Sequence, residues 1–173
     1  MSGKVPLLVI SGSMGAGKST VLSEASDLLA GPGKAHAAID LDWLAVMHPQ
    51  QGEYGSRLMF ANLAAVWPIY AAAGAERLLV APVVENRSEL RFYQQAIPSA
   101  EPVLCYLTAS IETMQERLRI REPGMFQEEA VARAAELAIE LADGGAEDFT
   151  IDERCRTCKQ NVTIPESPAK RRA

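Results

Sequence analysis

Few side chains in this sequence can build a metal centre or a redox site. It holds three cysteines and two histidines in 173 residues. Cys155 and Cys158 form a lone CxxC. A structural zinc site takes four ligands, and His36 and His48 stand far from that pair without metal-site spacing. Cys105 falls in an apolar run of strand length, where a free thiol packs as a small apolar group. Positive charge is also scarce. The net charge is -5, so no general polyanion-binding surface is indicated, and nucleic acid is not expected as a partner. The concentrated basic run AKRRA, at 169–173, reads as a solvated terminus. No apolar run reaches the roughly 20 residues of a membrane span. The longest, 58–74, contains Asn62 and Pro68 and reads as a buried helix, kinked or broken near the proline. The opening MSGKVPLLVI lacks the form of a secretory signal, which sets the expectation of a cytoplasmic location without a membrane partner.

What the chain does contain is an alternation of strand-length apolar runs with helical patterns, the mark of an α/β fold with a mainly parallel sheet. The runs are 5–10, 35–39, 77–82, 102–108 and 148–151. Continuous hydrophobicity in the first, third and fourth predicts strands covered on both faces. Residues 18–30, 57–74, 86–97, 110–121 and 127–143 read as helices. Asn86 with Glu89 offers a capping pair, and Ser110 with Glu112 and Thr113 an acidic first turn. Gly31, Gly74 and the pair Gly144 and Gly145 stand where helices should end in a left-handed residue. One domain over 1–155 is expected, with 156–173 as an extended tail.

The segment GSMGAGKST, Gly12 to Thr20, fits the pattern G-x-x-x-x-G-K-[ST] between a strand and a helix. Glycines let successive backbone N–H groups converge on phosphate oxygens, and the helix N-terminus adds partial positive charge. Gly12, Ser13, Met14, Gly15, Ala16, Gly17, Lys18, Ser19 and Thr20 are therefore the candidate binding loop for a nucleoside triphosphate. Lys18 is placed to reach the β- and γ-phosphates, and the Ser19 hydroxyl to ligate Mg2+. No Asn-Lys-x-Asp element for guanine follows the fourth strand, where CYLTASIE stands instead, which favours ATP.

With this loop near its N-terminus, the chain resembles the P-loop small-molecule kinases of the shikimate, gluconate and adenylylsulfate kinase group over roughly 5–151. The resemblance implies a three-layer domain with a five-stranded mainly parallel sheet, and a short lid around 117–133. Two acids close the second strand, Asp40 and Asp42, both near the crevice that strand ends line in open α/β sheets. By resemblance Asp42 orients or deprotonates an acceptor hydroxyl and Asp40 helps hold Mg2+; the other reading of Asp42 is a helix cap. Pro82, Arg87 and Arg91 are spaced as in adenylylsulfate kinases, so the arginines are candidates to clamp an anionic acceptor, or else a pair on an exposed helix face. Arg117 and Arg121 share a helical face, with Arg119 pointing elsewhere. In such kinases arginines at the lid junction neutralise charge on the transferring phosphoryl group. Pro123 and Gly124 supply a joint, and Arg133 is a weaker candidate; the other reading is a solvated basic face paired with Glu116 and Glu122.

Glu53, Tyr54 and Arg57 are the polar groups available to an acceptor between the second strand and the long helix, and Trp43 and Trp67 divide between pocket lining and core. The chain departs from each relative: it has no arginine soon after the acidic pair, no glycine triplet after the third strand, and His48 lies six residues beyond Asp42. The expected activity is ATP- and Mg2+-dependent phosphoryl transfer to a hydroxyl of a small polar metabolite, natural product or antibiotic. A nucleoside or nucleotide kinase and a slow regulatory ATPase are the alternatives. The acceptor stays open, as does a homodimer.

Overall fold

The computed structural model describes residues 3–48, 54–121 and 127–152. Strand β1 spans Val5–Ser11, followed by helix α1, Lys18–Ala30, and strand β2, Ala37–Asp40. A 3₁₀ turn, Leu41–Leu44, precedes helix α2, Tyr54–Ala72, and strand β3, Leu78–Ala81. A second 3₁₀ turn, Arg87–Glu89, leads into helix α3, Leu90–Ala96, and strand β4, Ala100–Thr108. Helices α4, Ile111–Arg121, and α5, Gln127–Gly144, come before strand β5, Phe149–Asp152. The five strands lie in the order β2-β3-β1-β4-β5, and every pairing is parallel.

Parallel strands need crossovers, and helices supplying them cover both sheet faces. That is why β1 is continuously apolar. Alternation along the strand sends Leu7 and Val9 to the layer holding Leu63 and Trp67 of α2, Tyr93 of α3 and Leu137 and Leu141 of α5. Leu8 and Ile10 go to the opposite layer, against Leu22 and Ala25 of α1. Each such fully buried aliphatic side chain contributes about 1.5–3 kcal/mol. Trp67 therefore belongs to the core at 8% exposure, whereas Trp43 stands 76% exposed. Cys105 is buried and packs in the α1 layer.

Local signals fare well where they concern caps. Asn86 and Glu89 form a reciprocal capping box, and the Thr113 amide donates to Ser110 Oγ at 3.1 Å. Three expectations need correction. Helix α2 runs through Pro68 without a break, and only one of its faces is buried; Ile69 and Tyr70 are exposed. Pro68 sits on the exposed face, where water can satisfy the carbonyl that the missing N–H leaves free. Gly31 keeps helical angles, with φ -53°, and the left-handed turn falls at Gly33, φ +69°. The helix expected over 86–97 begins as the 3₁₀ turn of the capping box and becomes α-helical at Leu90. No helix among the described residues is long and apolar enough to cross a membrane.

Side chains tie the carboxyl ends of the central strands together. The Val84 amide donates to Ser11 Oγ at 2.8 Å, and the Tyr106 hydroxyl donates to the Val84 carbonyl at 2.8 Å. The loop after β3 is thereby fixed against the ends of β1 and β4, where a crevice opens.

Candidate active site

The loop between β1 and α1 takes a path that glycine alone allows at two points. Gly12 has φ +148°, and a Cβ there would stand 2.5 Å from the Leu107 carbonyl oxygen. At Gly15, φ +80°, a Cβ would stand 2.6 Å from the Met114 carbonyl oxygen. The loop thus presses on the end of β4 and on α4, and then enters α1 with no side-chain cap and no acidic residue in the first turn. The leading amides of α1 have no intrahelical acceptor, and with the helix dipole they form a ready anion site.

Lys18 curls back over this loop. Its ammonium donates to the Gly12 carbonyl at 3.0 Å and the Ser13 carbonyl at 3.2 Å. Burial pushes its pKa below the ordinary 10.5, with the carboxylates of Asp42 and Asp40 opposing and Arg121 reinforcing the shift. Ser19 Oγ donates to Asp40 Oδ2 at 2.6 Å, and Asp40 Oδ1 accepts the Asp42 amide at 3.2 Å. Asp40, not Asp42, is therefore the cap of the turn Leu41–Leu44. Because that turn begins directly after Asp40, Asp42 does not share a strand face with it. It reaches the crevice on a 3₁₀ turn instead.

A cavity of about 590 Å3 gathers Lys18, Ser19 and Thr20 with Asp42, Arg117 and Arg121. Asp42 is solvent-exposed in this open cleft, yet partial desolvation still raises its carboxyl above the ordinary 3.8; the Lys18 ammonium opposes that rise. Arg117 and Arg121 arrive from α4, one turn apart, on either side of the fully buried Leu118. Arg117 Nη1 donates to the Gly15 carbonyl at 3.1 Å. Arg119 points away and pairs with Glu116 at 3.6 Å. A second cavity of about 280 Å3 adjoins the first through Gly17, Thr20 and Arg117, with Leu107, Ile151 and Asp152 among its walls.

Other expected site residues lie elsewhere. Arg87 donates to the Ala146 carbonyl at 2.6 Å and to Asp148 at 2.7 Å, pinning the loop after β3 to the approach of β5. Arg91 stacks on Phe92, 4.8 Å from the ring centroid, and shares a separate shallow pocket with Arg87. Arg133 is ringed by Glu85, Glu136 and Glu140 at 3.3–3.6 Å. Arg57 is exposed on the first turns of α2 and is not among the residues lining the cavity of Lys18 and Asp42. His36 bonds Ser26 and the Lys34 carbonyl. Glu53, the joint at Pro123 and Gly124, the Cys155 and Cys158 pair and the tail 156–173 fall outside the described residues, as does the side chain of Tyr54.

One tie escapes sequence reading. Ser13, counted among the phosphate-binding residues, turns its buried hydroxyl away and donates to the Ala134 carbonyl at 2.7 Å, linking the loop to the middle of α5. No spacing rule signals it, since the partner is a backbone atom far along the chain. The lining residue Val83 is likewise visible only after folding.

No protein-family model matches the chain, and no curated protein matches it in sequence. Solved structures do. A gluconokinase from Sinorhizobium meliloti 1021 is 18% identical, with a TM-score of 0.55 over 87% of this chain and 82% of its own. A shikimate kinase from Bacteroides thetaiotaomicron is 17% identical, with a TM-score of 0.54 over 86% of each chain. The shikimate kinase from Acinetobacter baumannii, solved in complex with shikimate, is 18% identical, with a TM-score of 0.52 over 85% and 83%. At such identities the likeness is one of architecture, and the chain has the α/β fold of the P-loop small-molecule kinases.

Proposed function

We propose that this chain is an ATP-dependent phosphotransferase acting on a hydroxyl of a small polar metabolite, natural product or antibiotic. The observation that carries the reading is the single cavity where the glycine loop, Lys18, Asp42, Arg117 and Arg121 meet. It joins a polyphosphate cradle to a carboxylate that can take a proton. The adjoining cavity, lined by Leu107, Ile151 and Arg117, would take the nucleotide base.

The new bond forms between the acceptor oxygen and the γ-phosphorus, while the bond from that phosphorus to the β,γ-bridging oxygen breaks, releasing ADP. Asp42 takes the acceptor proton, and its raised pKa makes it a better proton acceptor than an ordinary aspartate. Lys18 exchanges the Gly12 and Ser13 carbonyls for phosphate oxygens. Arg117 and Arg121 offset charge on the transferring group. Ser19 Oγ and Asp40 Oδ2, 2.6 Å apart, are hard oxygen donors of the kind Mg2+ takes alongside water and phosphate. They would hold the ion, which supplies charge neutralisation when bound.

The neighbour solved with shikimate supports a small-molecule acceptor. An acidic acceptor is not required, because Arg87 and Arg91, the candidate clamp, are engaged away from the cavity. The test is a screen of hydroxyl-bearing metabolites and antibiotics for acceptor-dependent ADP release. On the acceptor found, Lys18→Ala and Asp42→Asn should each lower turnover by more than about a hundredfold, with Asp42→Asn leaving ATP affinity within about threefold. Full activity in Asp42→Asn would remove that carboxylate from the chemistry.

A further inference from the structure

A further cavity of about 510 Å3 lies against Gly12 and Ser13 at the start of the glycine loop and, among the described residues, shares no lining with the cavity of Lys18 and Asp42. Its walls come from the end of β4, from α4 and α5, from Glu147 before β5 and from Thr150 within it; Gly12 and Ser13 close one side. The space exists because α5 presents short side chains at i, i+4 and i+8. Ala134 is fully buried beneath the Ser13 bond, while Ala138 and Ala142 are too short to fill the gap toward Leu107 and Met114. Its size falls in the range of about 300–1,000 Å3 typical of small-molecule sites.

The charges on this cavity have one sign. Asp143 and Glu147 line it, and among the described residues its lining holds no lysine, arginine or histidine. Among the described residues, Glu147 Oε2 is buried without a hydrogen-bond partner, and Oε1 accepts a long contact from Thr150 Oγ1 at 3.4 Å. A buried carboxylate oxygen left without a donor is costly and uncommon in folded proteins. The field reaches Tyr106, whose phenol is pushed up to about 12, by burial first and by Glu147 next. Two carboxylates among largely apolar walls suit an organic cation better than a metal ion, and no group of three or more potential metal ligands is found among the described residues.

We propose that this cavity is a binding site for a small organic cation, with a protonated amine on Glu147 and a flat apolar body against Leu107, Met114 and Ala138. Tryptamine serves as the probe, and tryptophol, the same ring system with a hydroxyl for the amine, is its neutral control. Titrations followed by the methyl resonances of Met114 and Ala138 should show saturable binding, with tryptamine about tenfold tighter than tryptophol. In Glu147→Gln the two should bind alike, and Ala138→Trp, which fills the space, should abolish both. Circular dichroism checks that Ala138→Trp folds; Glu147→Gln, nearly isosteric, carries the test if it does not. Equal affinities in the unmodified protein, absence of saturable binding, or a tryptamine preference that survives Glu147→Gln would each overturn the proposal.

Discussion

Lys18 and Asp42 face each other in a cleft that suits neither charge, and that mismatch makes a prediction at the level of single residues. Asp42 has a folded pKa raised above 3.8. Its contribution to stability is therefore full below that ordinary value and is lost as pH rises through the raised one. At pH 7 the ionised carboxylate disfavours the folded state, so Asp42→Asn should melt higher than the parent protein at pH 7. The gain should vanish as pH falls to 3.8, as thermal scans across that range would show. A more stable protein that has lost turnover is the pattern of a functional residue retained at a cost to the fold. A lower melting point at pH 7 would instead make Asp42 a structural partner of Lys18. Arg121→Ala tests the cation on α4: turnover should drop by more than about tenfold, and an unchanged rate would assign it to the solvated face. The loop residues were legible in the sequence because their chemistry is local, with glycines and a lysine at fixed spacing. The Ser13 hydroxyl was not, because its acceptor, the Ala134 carbonyl, is reached only through the tertiary fold.

Among the elements, the strands and helices follow the sequence pattern closely, since burial on two faces or on one leaves a periodic trace. Deviations arise where a tertiary partner sets the geometry. Helix α2 continues through Pro68 because Leu63 and Trp67 anchor the turn before it in the core, while the proline and the turn after it lie exposed, where water can take the freed carbonyl. Arginines spaced alike along their helices part ways for the same reason. Arg117 and Arg121 sit on a helix whose Met114 carbonyl touches the glycine loop, while Arg87 opens the 3₁₀ turn before α3 and reaches the approach to β5. Arg87→Ala should thus lower stability by about 1–3 kcal/mol in urea titrations, nearer the low end because its ion pair is partly exposed. It should leave kcat/KM within about threefold; a large loss of activity with stability intact would restore it to the acceptor site.

For the whole molecule, the proposed nucleotide site beside β1 predicts a gain in global stability on binding. Mg2+ and ATP at a hundred times their dissociation constant should stabilise the folded state by about 2.7 kcal/mol. For a chain of this length that is a rise of roughly 5–10 °C in Tm, which Lys18→Ala should abolish in calorimetry. A shift retained in that variant would place the nucleotide elsewhere. The sequence by itself determined the phosphate loop, the alternation of strands and helices and the caps, because each depends on neighbours within a few positions. Tertiary structure decided which arginines reach the glycine-loop cavity, that Asp42 reaches the cleft on a 3₁₀ turn rather than a strand, and that short side chains on α5 leave an acidic cavity beside β4. Those outcomes depend on side-chain direction and on the spacing between packed elements, and both are fixed only when distant segments bury one another.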